Sequence, residues 1–197
     1  MINIAIFASG GGSNAREIMS YFNLHPEISV SLVVCNKKDA GVIAIANNFN
    51  IKSVVISKEH IQSKEIIQLL DTCMVSYIVL AGFLWLIPTH IIKKYPNKIL
   101  NIHPSLLPKY GGKGMFGINV HSAVKAAGDP ISGMTIHLVN EKYDDGTILF
   151  QAKCELDHTM TVEEIAKSVL ALEHQYYSKV IEQYINSTSK SEKLQNI

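Results

Sequence analysis

Short apolar runs alternate with stretches whose apolar positions recur at helical spacing. Ile2 to Ala8 is such a run, and it stops at Ser9-Gly10-Gly11-Gly12-Ser13-Asn14. A helix is predicted from there to Phe22, with Ile18, Met19 and Phe22 on one face. Strands are predicted at Val30 to Cys35, Ser53 to Ile56, Tyr77 to Ala81 and Ile99 to His103. Between them, Ala40 to Asn48 reads as a helix, Ser57 caps a helix to Leu70, and Pro88 begins a short one. Continuous apolar strands alternating with helices predict an α/β fold, a mostly parallel sheet covered by helices on both faces. The rhythm then changes. Ser105 to Asn119 is loop-like and holds Gly111, Gly112, Gly114 and Gly117; Val120 to Ala127 is a helix. Gly133 to Val139 and Thr147 to Leu156 read as two antiparallel strands. Thr161 opens a long helix to Ile185, with Glu164 completing a capping box, and 186–197 is a polar tail.

The 197 residues suit one domain, 1–185, plus that tail. Apolar residues at 47% and charged residues at 18% fit a packed globular chain. A net charge of +1 gives no basic field to attract nucleic acid or an anionic membrane. The longest apolar run, Ile78 to Pro88, is too short to span a bilayer, and the first lysine or arginine is Arg16, unlike a secretory signal. The three cysteines, Cys35, Cys73 and Cys154, are widely spaced, which points to free thiols in a cytoplasmic protein. No metal site is expected: the eight histidines form no His-Glu-x-x-His pattern.

Three motifs carry candidate chemistry. Gly10 to Ala15 lies between strand and helix, where glycines let the backbone approach an anion and the helix end supplies free N–H groups. A ligand-free tight turn is the other reading. Asn36-Lys37 stands where a dinucleotide site needs an acid for the ribose, so a single phosphate is the better guest. In the second motif, Asn101-Ile102-His103-Pro104-Ser105-Leu106-Leu107-Pro108, residues 101 and 103 share one strand face. They project together at the strand's carboxyl end, where open α/β sheets bind ligands. The third, Asp144-Asp145-Gly146, is a turn unless it finds a partner; a carboxylate beside His103 is expected to raise the imidazole pKa. His121 and His137 each read as structural histidines.

Together with Leu80-Ala81-Gly82-Phe83 and the run from His137 to Gly146, these motifs resemble the folate-dependent formyltransferases. Within that group the glycine loop is similar to the phosphoribosylglycinamide formyltransferases of purine synthesis. The resemblance implies a Rossmann-like first half completed by a mixed C-terminal part, and two small-molecule substrates taken by a monomer or homodimer. It implies transfer of the formyl group of 10-formyltetrahydrofolate, as co-substrate, to the amino group of glycinamide ribonucleotide. By the same resemblance Gly12, Ser13 and Asn14 hold the ribonucleotide phosphate, joined by Leu170, Ala171, Leu172 and Glu173. Lys64, Leu84, Trp85, Leu86, Ile87 and Asn101, with the loop Asn140, Glu141, Lys142, Tyr143 and Asp144, surround the folate. The Leu107-Pro108 bond is expected to be cis.

Asn101, His103 and Asp144 are then the expected catalytic residues. Asn101 and a protonated His103 would donate to the oxyanion, and His103 or a water near Asp144 would relay the proton. The stretch between Tyr110 and His121 is longer and richer in glycine than in better-known members; a mobile lid and a plain surface loop are both open readings. Two other functions use the same residues in part: a formyltetrahydrofolate deformylase, with water as nucleophile, and a non-catalytic nucleotide-binding module. A deformylase of this group is expected to carry an extra N-terminal regulatory domain.

Overall fold

The structure, a computed structural model, describes residues 1–195 of the chain. Five parallel strands form its first half: β1 (Ile2–Ala8), β2 (Ile28–Cys35), β3 (Ser53–Val55), β4 (Val75–Leu80) and β5 (Ile99–His103). Two antiparallel strands, β6 (Ile131–Leu138) and β7 (Ile148–Glu155), complete one seven-stranded sheet in the order β3-β2-β1-β4-β5-β6-β7. The helices are α1 (Ser13–Phe22), α2 (Gly41–Asn48), α3 (Lys58–Gln62), α4 (Glu65–Thr72), α5 (Thr89–Lys94), α6 (Ile118–Ala127) and α7 (Val162–Gln195). This is the mixed α/β architecture expected of the chain.

Alternation along β1 divides the core in two. Ile4, Ile6 and Ala8 join the residues of α1, α2 and α7, whereas Ala5 and Phe7 join those of α3, α4 and α5 on the other face. Both layers exclude water, so the central strands are apolar along most of their length, as from Ile4 to Ala8 in β1. The β1–β4 junction reverses the strand order, and a crevice opens there beyond the strands' carboxyl ends. Helix α7 is tied over it by Tyr177, whose buried hydroxyl donates to the carbonyls of Leu80 (2.9 Å) and Leu100 (3.3 Å).

Several boundaries differ from the expected ones, each for a local reason. The helix expected from Ser57 to Leu70 is two helices. Ser57 Oγ caps the first by accepting His60 N–H; Ser63 Oγ then donates to the His60 carbonyl and accepts Glu65 N–H, ending one helix and starting the next. The expected polar tail is helical through Gln195; within it Ser187 and Thr188 return their hydroxyls to the Tyr184 carbonyl, and Thr188 Oγ1 ties the helix to Tyr77 Oη at 2.7 Å. Residues 196–197 lie outside the described residues. The capping box forms as expected: Thr161 N–H meets Glu164 Oε2 at 2.7 Å, and Glu164 N–H meets Thr161 Oγ1 at 3.2 Å.

Candidate active site

Strand register assembles the first half of the site. Asn101 on β5 pairs with His137 on β6, and His103 pairs with Thr135. The two histidines and Asn101 therefore meet on one sheet face. The His137 Nδ1 lies 2.8 Å from the Leu138 carbonyl, which can only accept, so that nitrogen carries the proton. Its Nε2 is then an acceptor for the Asn101 amide, 3.0 Å away. One N–H of Asn101 is thus held by His137, and the other is directed towards Asp144 Oδ1 at 3.5 Å.

The second half comes from the loop between β6 and β7. Asp144 adopts φ 51°, a left-handed conformation that an aspartate tolerates. Gly146 lets this loop lie on β6, since a Cβ there would overlap the Leu138 carbonyl oxygen. The carboxylate reaches His103 Nδ1 at 3.5 Å and His137 Nε2 at 3.7 Å, and accepts Gly112 N–H at 2.9 Å. His103 Nε2 lies 2.7 Å from the Tyr110 carbonyl, which fixes its proton on that side. The lone pair of the neutral ring is therefore on Nδ1, facing Asp144. Between them the chain turns through Leu107-Pro108, which is cis, as expected.

Electrostatics correct one expectation. The Asp144 charge does raise the His103 pKa, but burial lowers it more, with a smaller lowering from His137, and the net shift is downward. His103 is only 4% exposed, so loss of hydration for the imidazolium outweighs a carboxylate 3.5 Å away. A neutral His103 replaces the protonated donor expected at neutral pH. Burial also pushes the Asp144 carboxyl up, but the His137 side chain, the His103 charge and the Gly112 N–H together hold it below its ordinary value.

A cleft of about 570 Å³ opens in front of these groups, within the size range of small-molecule sites. Asn101, His103 and Asp144 line it, with Leu84 and Tyr143. Asn14 from α1 and Leu170 and Glu173 from α7 line the same cleft. Glu173 is 7% exposed, and the structure places Asn14 Nδ2 2.5 Å from its Oε2. Burial pushes its carboxyl up to about 6, against a lowering by the Asn14 hydrogen bond.

The remaining expected site residues stand off the cleft lining. Trp85 is half-buried against Phe83, Ile87 is buried in the sheet's other layer, and Leu86 is exposed. Ala171 faces solvent and Leu172 packs on the core, because only every third or fourth position of α7 faces the cleft. Lys64 is exposed at the start of α4. Asn140, Glu141 and Lys142 lead the loop up to Tyr143, with Asn140 capping Lys142 N–H at 2.9 Å. Gly12 is the left-handed N-cap of α1 at φ 80°; a Cβ there would lie 2.8 Å from Val42 Cβ, so its smallness also serves packing of α2. Ser13 is the first residue of α1.

Sequence reasoning left out three contributors. His137 reads as an ordinary strand histidine until the β5–β6 register is known. Residues 112–118 and His121 also line the cleft. The glycines of that loop were the only signal of it. His121 is buried and its pKa is lowered, first by burial and then by the His103 charge.

The formyl transferase family model matches residues 2–181. This chain belongs to that family. It is 42% identical over 187 residues to the chloroplastic phosphoribosylglycinamide formyltransferase of Arabidopsis thaliana, matching 90% of this chain and 63% of the plant protein. It thus spans less than two thirds of that relative. The Bacillus subtilis phosphoribosylglycinamide formyltransferase is 36% identical and covered in full, over 98% of this chain. The crystal structure of phosphoribosylglycinamide formyltransferase from Anaplasma phagocytophilum superimposes with a TM-score of 0.83 at 30% identity, covering 91% of this chain and 85% of that one.

Proposed function

We propose that this formyl transferase family member moves the formyl group of 10-formyltetrahydrofolate to the amino group of glycinamide ribonucleotide, giving formylglycinamide ribonucleotide and tetrahydrofolate. The observation that carries the reading is one cleft lined by two polar clusters. Asn101, neutral His103 and Asp144 form one, and Asn14 and Glu173 beside the glycine loop form the other. Such a cleft suits a phosphorylated ribosyl amine reacting with a flat heterocyclic donor.

The amine nitrogen attacks the formyl carbon, and the carbonyl electrons move to oxygen. The Asn101 N–H that points towards Asp144, with the amide oriented by His137, turns to donate to that oxyanion. His103 Nδ1 takes the proton from the attacking nitrogen, and Asp144 beside it stabilises the imidazolium so formed. The C–N10 bond then breaks as the oxyanion re-forms the carbonyl, and the imidazolium returns its proton to N10. Charge is conserved, and the groups named perform every step.

The backbone N–H groups at the start of α1, with Ser13 and Asn14, receive the phosphate; Glu173, with Leu170 to Leu172 around it, receives the ribose. Leu84 to Ile87 and Asn140 to Asp144 frame the pterin, with Lys64 towards the folate's acidic end. The functional unit is residues 1–185, working as a monomer or homodimer. The unpaired thiols Cys35, Cys73 and Cys154 support a reducing, cytoplasmic setting. No helix among the described residues is long and apolar enough to cross a membrane.

The deciding experiment follows tetrahydrofolate release with and without glycinamide ribonucleotide. The reading predicts release only with the ribonucleotide, matched by its formylation. Release at equal rate without it would make the protein a hydrolase; no release in either case would make it a binding module.

A further inference from the structure

The segment Tyr110–Gly112 touches both members of the His103–Asp144 pair through its backbone. The Tyr110 carbonyl accepts His103 Nε2–H at 2.7 Å, and two residues on, Gly112 N–H donates to Asp144 Oδ2 at 2.9 Å. Gly111 fills the gap between them: a Cβ there would meet Leu107 Cδ2 at 2.6 Å and Asp144 Cβ at 3.3 Å. Tyr110 sits at φ 56° and Gly112 at φ 97°, both left-handed. That backbone turns the 110 carbonyl and the 112 N–H towards two different partners, and it is costly for a non-glycine residue. The tyrosine side chain holds the segment from outside. Its hydroxyl donates to Asp129 Oδ2 at 2.9 Å, and Lys109 Nζ pairs with the same carboxylate at 3.1 Å.

We propose that Tyr110–Gly112 is a positioning strap: its two backbone groups set the proton-accepting nitrogen of His103 and the orientation of Asp144, and Asp129 anchors it through the Tyr110 hydroxyl. This rests on the catalytic reading of His103 and Asp144 above. The strap converts a loop conformation into a chemical state. With the Tyr110 carbonyl in place, neutral His103 keeps its lone pair on Nδ1, towards Asp144 and the cleft. Without it the ring is free to carry its proton on Nδ1, where it cannot act as a base. The other titratable groups facing His103 are Asp144 from the β6–β7 loop, His137 from β6 and His121 from α6. None of these fixes Nε2. Asp129 and Tyr110 lie outside the residues that touch substrate in this account, so they act through the His103–Asp144 pair.

Three variants test the strap: Gly112→Ala, Tyr110→Phe and Asp129→Asn. A Cβ at Gly112 meets nothing within 4 Å, so only the backbone is strained. Gly112→Ala is expected to lower kcat about tenfold, and Tyr110→Phe and Asp129→Asn about threefold each, from the usual size of a lost hydrogen bond. Both KM values should stay within about twofold. The Tyr110→Phe/Asp129→Asn double variant should lose no more than either single one, since both remove one contact. The Tyr110 carbonyl and the Asp144 charge both raise the His103 pKa, so the acid limb of the kcat profile should move to lower pH in all three. His103→Ala and Asp144→Asn are run alongside. If these two leave formyl transfer intact, the catalytic reading itself falls. If they abolish it while the three strap variants keep kcat and the acid limb of the wild type, the strap is overturned. A loss of kcat equal at every pH, with the limb unmoved, likewise overturns it in favour of a structural role.

Discussion

Glu173 and Asp144 are carboxylates sheltered in one cleft, and their pKa values move in opposite directions. Burial raises both. At Glu173 the only offset is one neutral amide, from Asn14, and the carboxyl rises to about 6. At Asp144 two imidazoles and a backbone N–H converge, and the carboxyl falls below its ordinary value. The partners around each carboxyl, rather than shelter from water, decide its charge. Asp144 is thereby held ionised, whereas Glu173 is left with a single neutral partner.

The cluster around Asp144 carries the largest expected effect. Asn101→Ala should lower kcat by ~10²–10³, the usual loss for one oxyanion donor, with a smaller change in either KM. Steady-state kinetics with both substrates varied checks this. Asp144→Asn should lower kcat by about 10² near neutrality. The deficit should narrow as pH falls, because losing the charge lowers the His103 pKa further. Asp145→Asn should change kcat little, since Asp145 is exposed and bonds to Asn140 and Lys142 within its own loop.

In the second cluster, Glu173→Gln should raise the ribonucleotide KM about tenfold at pH 8, the scale of a hydrogen bond to a charged group. That KM should then lose the wild type's rise as pH falls through about 6. The same substitution should stabilise the free protein. A carboxyl raised from 4.5 to about 6 favours folding while protonated, below pH 4.5, and loses that contribution as pH rises through about 6. Glu173→Gln should therefore gain up to about 2 kcal/mol at pH 8 and nothing below pH 4.5, read from denaturation at both pH values. The smallest effect is at the glycine loop. Gly11 faces open space, so Gly11→Val should leave Tm unchanged and raise the ribonucleotide KM about fivefold. Gly12→Val is a poorer probe, because it strikes Val42 and lowers Tm.

The sequence made most of this frame legible, for physical reasons that differ by element. Strands β1, β2, β4 and β5 are covered on both faces along most of their length, so their largely apolar runs announce a parallel sheet. Asn101 and His103 were readable as a pair because strand period 2 puts them on one side. His137 was not, because its role depends on which strand lies next to β5 and in what register. The His103 pKa was misjudged because a carboxylate neighbour can be guessed from a motif, whereas depth of burial cannot. The helix break at Ser63 was hidden by hydroxyl capping that competes locally with a continuous helix.

The central claim is that His103 is a neutral base whose ionisation is balanced between burial and Asp144. NMR titration of the His103 ring in the wild type and in Asp144→Asn tests it most directly. The account predicts a wild-type pKa below the ordinary 6.5 and a lower one still in the variant, with Nε2 protonated in the neutral ring. A wild-type value above 6.5, or a value in Asp144→Asn that does not fall, would contradict it.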